Sequence, residues 1–357
     1  MSPGKNSHRH DIFVVGASVG GIQAVSTLVS GLPQDFPGAV FIVVHTAAGS
    51  PGMLASILSR KAKVPVEVPA DGDKIIRGHV YVAPPGRHMV LNDSRIRLTL
   101  GPTENRYRPA IDPLFRSAAR FYDSRVVGVV LTGYLDDGTA GLISVKKAGG
   151  LAIVQDPEEA EAPSMPLSAL AHVDVDRKTT LAELPALIDS LARQGAWAGN
   201  EVVADKGNKG NSDMERKRQR NNGEVDERLN GEPSAYVCPA CQGTLWEVDQ
   251  EGLLTFRCRV GHAYSAESML EDQTDEVERA LWASLRSLEE NADLSTRLAR
   301  KAKQSNLPIS AKSYLERAEV AKQNADVLRQ MLSGRRAHPE EGQTEQTQPG
   351  HTNGEAA

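Results

Sequence analysis

Ile12-Phe-Val-Val-Gly16-Ala-Ser18-Val-Gly20-Gly21 is the stretch on which the fold turns. Its apolar, largely β-branched start suits a strand buried on both faces, and the glycines that follow mark a tight passage into a helix. Gly16 and Gly20 permit the turn, Gly21 allows close helix packing, and Ser18 stands at the crest with its hydroxyl outward. A dinucleotide fingerprint fails here, because Ser18 occupies the middle glycine of G-x-G-x-x-G, where a pyrophosphate must approach the backbone. A phosphate-binding loop fails too, since no Gly-Lys-Ser/Thr follows. The pattern does satisfy G-x-S-x-G, the nucleophile elbow, which is short enough to arise by chance.

Working outward, residues 11–195 alternate short apolar runs with helical spacing, the signature of an α/β fold with a doubly wound, Rossmann-like, mostly parallel sheet. Ile12–Val15, Ala39–Val44, Val127–Leu131 and Leu151–Val154 read as buried strands, and 20–31, 51–63, 112–122 and 138–148 as helices. Val80-Tyr81-Val82 and Ile96-Arg97-Leu98, punctuated by turn residues, read as short antiparallel strands in an insertion at the sheet edge. Residues 196–234 are dominated by charged residues, Asn and Gly, and are expected to be a flexible polar linker. A cysteine module at 235–265, a helical hairpin at 266–333 and a disordered tail at 334–357 complete the expected organisation. In the hairpin, Leu270, Val277, Leu281, Leu285, Leu288 and Ala292 form one apolar face, and Leu315, Ala318, Ala325 and Leu328 form the other.

The chain has 357 residues, 40% of them hydrophobic, and a formal net charge of -5, which argues against a general nucleic-acid binder. No run approaches the roughly 18 apolar residues of a membrane span, and the polar start lacks a secretory core, so the expected location is cytoplasmic. Only three cysteines occur, and their odd number in one short segment does not suit a disulfide framework. Cys238-Pro-Ala-Cys241 and Cys258-Arg-Val-Gly-His262 give C-x2-C, sixteen intervening residues, then C-x3-H. Four such ligands on two turns match a structural tetrahedral zinc site in a ribbon-like module, with Tyr236, Leu245, Trp246, Leu254 and Phe256 as strands and small core. All four positions are filled by protein, so the expected metal is structural, and catalysis is expected to need no cofactor.

A nucleophilic serine needs a base and an orienting acid, and in open parallel sheets these collect at the strand exits. His45 ends the run Ala39–Val44; the bland alternative is a histidine bonded to loop backbone. Asp137 follows the strand ending at Leu131, and either Asp136 or Asp137 could instead cap a helix. His172 would complete the chain order of α/β-hydrolases but has a less obvious rim position.

Five ordered motifs then carry a resemblance. They are Gly16–Gly21, the strand ending in His45, Arg108-Pro-Ala-Ile-Asp112-Pro-Leu-Phe-Arg116, Leu131-Thr-Gly133 through Asp137-Gly138-Thr-Ala-Gly141, and Ser164-Met-Pro166. Over residues 11–195 the chain resembles the catalytic domain of CheB-type chemotaxis methylesterases. The resemblance implies a serine hydrolase that cleaves glutamyl methyl esters on methylated chemoreceptor helices and deamidates receptor glutamines, with Ser18, His45 and Asp137 as its catalytic residues. Backbone amides at Val19 and Tyr134 are the expected oxyanion donors. The chain departs from the family at Thr46-Ala47, where Met-Pro is common, at Val19, where Thr is, and at Tyr134-Leu135, where Met-Gly is usual. Those departures alter the groove and keep two other functions in view: a non-catalytic receptor-binding adaptor and a hydrolase of another ester or amide. Arg106, Arg108 and Arg116 suggest a basic mouth for an acidic receptor helix, with solvated surface arginines as the alternative. Common members carry a receiver domain ahead of the catalytic unit, whereas here the first strand begins at Ile12. Control through the C-terminal modules or a separate receiver or signalling protein is therefore expected.

Overall fold

Strand β1 (Ile12–Ala17) is buried along its whole length because helices cover both faces of the sheet around it. The computed structural model describes residues 10–46, 49–194, 231–250 and 252–334, in two units divided between Asp272 and Gln273. Further elements of the first unit are α1 (Gly21–Gly31), β2 (Ala39–Val44), α2 (Leu54–Ser59), β3 (Val66–Glu67), β4 (Val80–Val82), β5 (His88–Asn92) and β6 (Arg95–Thr99). They continue with α3 (Ile111–Tyr122), β7 (Val126–Val130), α4 (Thr139–Lys147), β8 (Leu151–Gln155), α5 (Ser164–His172), β9 (Arg177–Thr179) and α6 (Leu184–Arg193). Seven strands form one sheet in the order β3-β4-β2-β1-β7-β8-β9, every neighbouring pair parallel. Alternate β1 side chains feed two cores: Ile12 and Val14 pack with α3 and α4, and Phe13 and Val15 with α1 and α6.

The chain leaves β1 for β2 on one side and later returns through α3 to β7 on the other. The carboxyl end of β1 is therefore the topological switch point, where open α/β sheets place their ligands. Val80–Val82 corrects the sequence reading: it is not antiparallel but a buried parallel strand, paired with Val40–Ile42 across the α2 crossover. Ile96–Leu98 is antiparallel, in a separate two-stranded ribbon with β5. The helix read over 51–63 forms only at Leu54–Ser59.

The cysteine module is a four-stranded antiparallel sheet, β10 (Glu232–Val237), β11 (Thr244–Gln250), β12 (Leu253–Cys258) and β13 (Ala263–Ser265). Its first strand starts within the stretch read as linker; residues 195–230 and 335–357, which hold the rest of that linker and the tail, lie outside the described residues. Cys238, Leu245, Phe256, Cys258, Tyr264 and Met269 make its core, while Tyr236 and Leu254, counted there by sequence, are solvent-exposed. Helix α7 (Ala266–Gln304) follows at once, and α8 (Pro308–Gly334) closes the hairpin after the turn at Asn306. In the second unit Leu285, Ala325 and Leu332 are buried together, with Leu281, Leu288 and Leu328 against them. Val277 and Leu315 are exposed, as is Leu270 at the start of α7, so three expected face residues do not pack there. Among the described residues no helix is long and apolar enough to cross a membrane.

At the amino end of the sheet, Asp11 lies buried between two guanidinium groups. Arg125 donates to both its oxygens at 2.9 and 2.8 Å, and Arg77 to Oδ2 at 2.9 and 3.1 Å. Asp11→Ala removes the carboxylate that two buried guanidinium groups share, and such breakage costs about 3–5 kcal/mol. Hydrogen exchange of β1 and β7 amides is expected to accelerate accordingly; unchanged exchange contradicts this account.

Candidate active site

Parallel register fixes the first two site residues. Ala17 pairs with Val44, so Ser18 and His45, the next residues of β1 and β2, leave the sheet side by side. The Ser18 amide donates to Thr132 O beyond β7, at 2.9 Å, and the His45 amide donates to Ala17 O at 3.1 Å. Gly20 at φ 73° takes the left-handed conformation that a glycine adopts without penalty and starts α1 immediately after Ser18. Across the site, a Cβ on Gly133 would stand 2.8 Å from Ser18 Cβ and 2.1 Å from Met165 Sδ, so only glycine fits there.

His45 and Asp137 meet through Nε2 and Oδ2 at 2.7 Å, each side chain only 2% exposed. The Tyr107 ring lies over the imidazole, centroids 3.7 Å apart and planes within 10°. Imidazole Nδ1 is buried and has no protein hydrogen-bond partner among the described residues. With Nε2 committed to the carboxylate, the lone pair is on Nδ1, the atom left to take a proton.

Asp137 does not cap its own helix. Its carboxylate accepts from the Ile111 and Asp112 amides, at 2.7 and 3.2 Å, in the first turn of α3. Asp112 in turn accepts from the Gly138 and Gly141 amides, at 3.1 and 2.7 Å, at the start of α4. Asp137, from the turn before α4, thus serves the amino terminus of α3, and Asp112, from the first turn of α3, serves that of α4, where free amides and the helix dipole favour negative charge. Asn105 Nδ2 joins the two carboxylates, 2.9 Å from Asp112 Oδ2 and 2.9 Å from Asp137 Oδ1. Burial alone would raise Asp137, but the His45 hydrogen bond and charge, with the Ile111 and Asn105 donors, hold it below the ordinary carboxylate range. Asp112 is pushed up by burial and then by the Asp137 charge. Sequence reasoning did not single out Asn105 or Tyr107; the only local hint is their place just before the Arg108–Arg116 motif.

Asp136, the alternative acid, points away from His45 and accepts from Ser265 Oγ at 2.5 Å. His172 bonds backbone through Nδ1, to Ser168 O at 3.0 Å in α5, and makes no hydrogen bond to Ser18 or Asp137 among the described residues. The three arginines do not form an open basic mouth, nor are they simply solvated. Arg116 grips Glu104 at 2.7 Å, Arg108 donates to Gly101 O at 2.7 Å, and Arg106 lies 3.7 Å from Asp272.

Cys238, Cys241, Cys258 and His262 bring one ligand atom each within 4.8 Å of one another. Cys241 and Cys258 sulfurs are 3.6 Å apart, and His262 Nδ1 lies 3.4 Å from Cys258 Sγ and 3.7 Å from Cys238 Sγ. A tetrahedral ion with metal–sulfur bonds of about 2.3 Å has sulfur–sulfur edges near 3.8 Å, so this cluster fits a bound metal.

Burial pushes Asp136 up to about 7, opposed by the Ser265 hydrogen bond. A carboxyl raised above its unfolded value of about 3.9 binds more protons folded than unfolded, so its burial costs stability as pH rises from about 4 to 7. Asp136→Asn keeps an acceptor for Ser265. It is expected to raise the thermal midpoint at pH 8 and leave it nearly unchanged at pH 4; an equal effect at both contradicts the assignment.

The family model described as CheB methylesterase matches residues 13–188. A protein-glutamate methylesterase/protein-glutamine glutaminase 2 of Anaeromyxobacter dehalogenans is 38% identical over 185 residues, covering 52% of this chain and 54% of that one. A putative protein-glutamate methylesterase/protein-glutamine glutaminase of Leptospira interrogans is 37% identical over 183 residues, 51% of this chain and 95% of the relative. A crystal structure of the Thermotoga maritima CheB methylesterase catalytic domain shares 30% identity over 51% of this chain and 98% of that one, with a TM-score of 0.49. The chain thus spans about half the length of the first relative and nearly all of the second. Relatives aligned over almost their whole length, on the unit that carries Ser18, His45 and Asp137, make this chain a member of the CheB methylesterase family.

Proposed function

We propose that this chain is a serine hydrolase that cleaves glutamyl methyl esters on the cytoplasmic helices of chemoreceptors, in the cytoplasm. The observation that carries the reading is the buried His45–Asp137 pair at 2.7 Å, beside Ser18 at the switch point, with Nδ1 unengaged by protein. In the reaction His45 Nδ1 takes the Ser18 proton as Oγ bonds to the ester carbonyl carbon. The tetrahedral intermediate collapses, the carbon–methoxy bond breaks, and the His45 proton leaves with methanol. Water, deprotonated by His45, then attacks the acyl-serine, restoring Ser18 and freeing the glutamate carboxylate. Asp137 holds the tautomer and stabilises the imidazolium between steps. Val19 and Tyr134 amides, which meet no protein acceptor among the described residues, are the oxyanion donors of this scheme. The names of the relatives also include glutamine glutaminase, and the same steps on a side-chain amide release ammonia in place of methanol.

Zinc is the metal of choice for the Cys3His cluster, because three thiolates and an imidazole in tetrahedral spacing suit it and leave no open position. Its contribution is structural: it ties the Cys238–Cys241 turn to the Cys258–His262 turn, so that a module with six core residues can fold. Regulation then passes through this module, the hairpin or a separate signalling protein.

Incubation with a methylated receptor-helix fragment is expected to release methanol, and Ser18→Ala to lower the rate at least about a thousandfold. Retention of full activity by that variant overturns the mechanism. Elemental analysis of purified protein is expected to find stoichiometric zinc, lost together with the ribbon's circular-dichroism signal in Cys238→Ser/Cys241→Ser. Metal-free protein with an intact ribbon overturns the zinc assignment.

A further inference from the structure

Glu104–Tyr107 is a tight turn closed by its own main chain, Glu104 N–H to Tyr107 O and Tyr107 N–H to Glu104 O, at 3.2 and 2.9 Å. Both central residues, Asn105 at φ 47° and Arg106 at φ 74°, sit in the left-handed region that non-glycine residues disfavour. One side of this turn touches both members of the His45–Asp137 pair: Tyr107 stacks on the imidazole and Asn105 Nδ2 donates to the carboxylate. The other side is held by the cysteine ribbon. The Asn105 amide donates to Ala263 O at 2.8 Å, and Asn105 Oδ1 accepts from the Ser265 amide at 2.9 Å and meets Ser268 Oγ at 3.2 Å.

The carboxamide of Asn105 is therefore fully used, with its two ends assigned by chemistry. Carboxylates can only accept from Nδ2, and the Ser265 main-chain N–H can only donate to Oδ1. Ser265 Oγ gives its single proton to Asp136 and accepts from the Ser268 amide at 3.1 Å, which caps α7 and locks the two serines together. Ser265 is 4% exposed, Ser268 0% and Asn105 5%.

We propose that Ser265 and Ser268, at the exit of the ribbon, are positioning residues for the His45–Asp137 pair, acting through Asn105. Its kinetic consequence rests on the hydrolase reading above; its geometric consequence does not. Seating of the ribbon fixes Asn105 and holds Tyr107 on His45. His262 and Cys258 lie a few residues upstream, so a ribbon that loses its fold also releases the turn.

The test uses the full chain. In Ser265→Ala/Ser268→Ala, kcat per titrated active serine is expected to fall about fivefold to twentyfold with KM little changed, since only a few hydrogen bonds are lost. Ser268→Ala made in Asn105→Ala is expected to add almost nothing, because the Ser268 hydroxyl reaches the pair through Asn105. Ser265→Thr/Ser268→Thr, which keeps both hydroxyls, is expected to retain the wild-type rate; the Ser265 main-chain donor to Asn105 is present in every variant. In proton NMR, the downfield His45 Nε2–H resonance of the wild type is expected to broaden or vanish in the double variant. Ser268→Ala alone, which leaves the α7 cap in place, gives the same direction with a smaller loss and serves if the double variant does not fold. Unchanged kcat and resonance overturn the proposal, as does a full multiplicative effect in the Asn105→Ala background. If the wild type hydrolyses no ester, the hydrolase reading fails, and the NMR comparison alone decides whether the ribbon positions the pair.

Discussion

The structure depends on a carboxylate in the wrong place for a carboxylate. Asp137 is 2% exposed, and a bare anion at that depth is heavily disfavoured. Donors converge on it from three directions, an imidazole, two amides from the start of α3 and one carboxamide. Asp112 returns the service to α4, so the reciprocal caps tie together the two helices that flank β7. The constraint is strict in both senses. Moving either helix strips donors from a buried anion, and removing the anion leaves helix amides unpaired. Donors from a turn, a helix start and an imidazole thus fix the Asp137 carboxylate without any ligand.

Charge is divided between the two ends of the sheet. At the amino end Asp11, 1% exposed, is closed off by Arg77 and Arg125, with both carboxylate oxygens engaged. At the carboxyl end the interactions stop one atom short of closure, because Nδ1 of His45 is buried yet unmatched by the described residues. The first arrangement is closed on itself; the second leaves one imidazole nitrogen unpaired by the described residues, at the exit of the strand next to the one that leads into Ser18.

Much of this was legible along the chain. β1, β2, β7 and β8 are continuous apolar runs because both their faces are covered, and a run ending in His or followed by Gly-Ala-Ser announces a strand exit. The direction of Val80–Val82 was not, since three residues carry no signal of parallel or antiparallel pairing; the α2 crossover decides it. Asp136 and Asp137 are equivalent in sequence, and only the approach of α3 chooses between them. Asp11 finds its partners 66 and 114 residues away. Arg116 looks like surface charge until Glu104 folds back onto it. In the ribbon, Leu254 shares a face with the buried Phe256 and Cys258 but sits at the start of its strand, and Tyr236 only edges onto Phe256, so position along the sheet, which sequence does not show, leaves both exposed.

The contact between ribbon and α/β unit is polar where it matters. Main-chain bonds join Thr103 and Asn105 to Ala263, Arg257 approaches Glu104 at 3.7 Å, and serines meet Asp136 and Asn105, while Leu253 reaches the main apolar core. Seams of this composition resemble interfaces that open and close more than they resemble a shared core. Hydrogen bonds to buried carboxylates are also steep in their consequences, since a lost donor leaves an anion unsatisfied rather than merely less packed. The module seated on Asn105 thus meets the His45–Asp137 pair through a single carboxamide, and it carries the cluster of three cysteines and a histidine a few residues upstream of that contact.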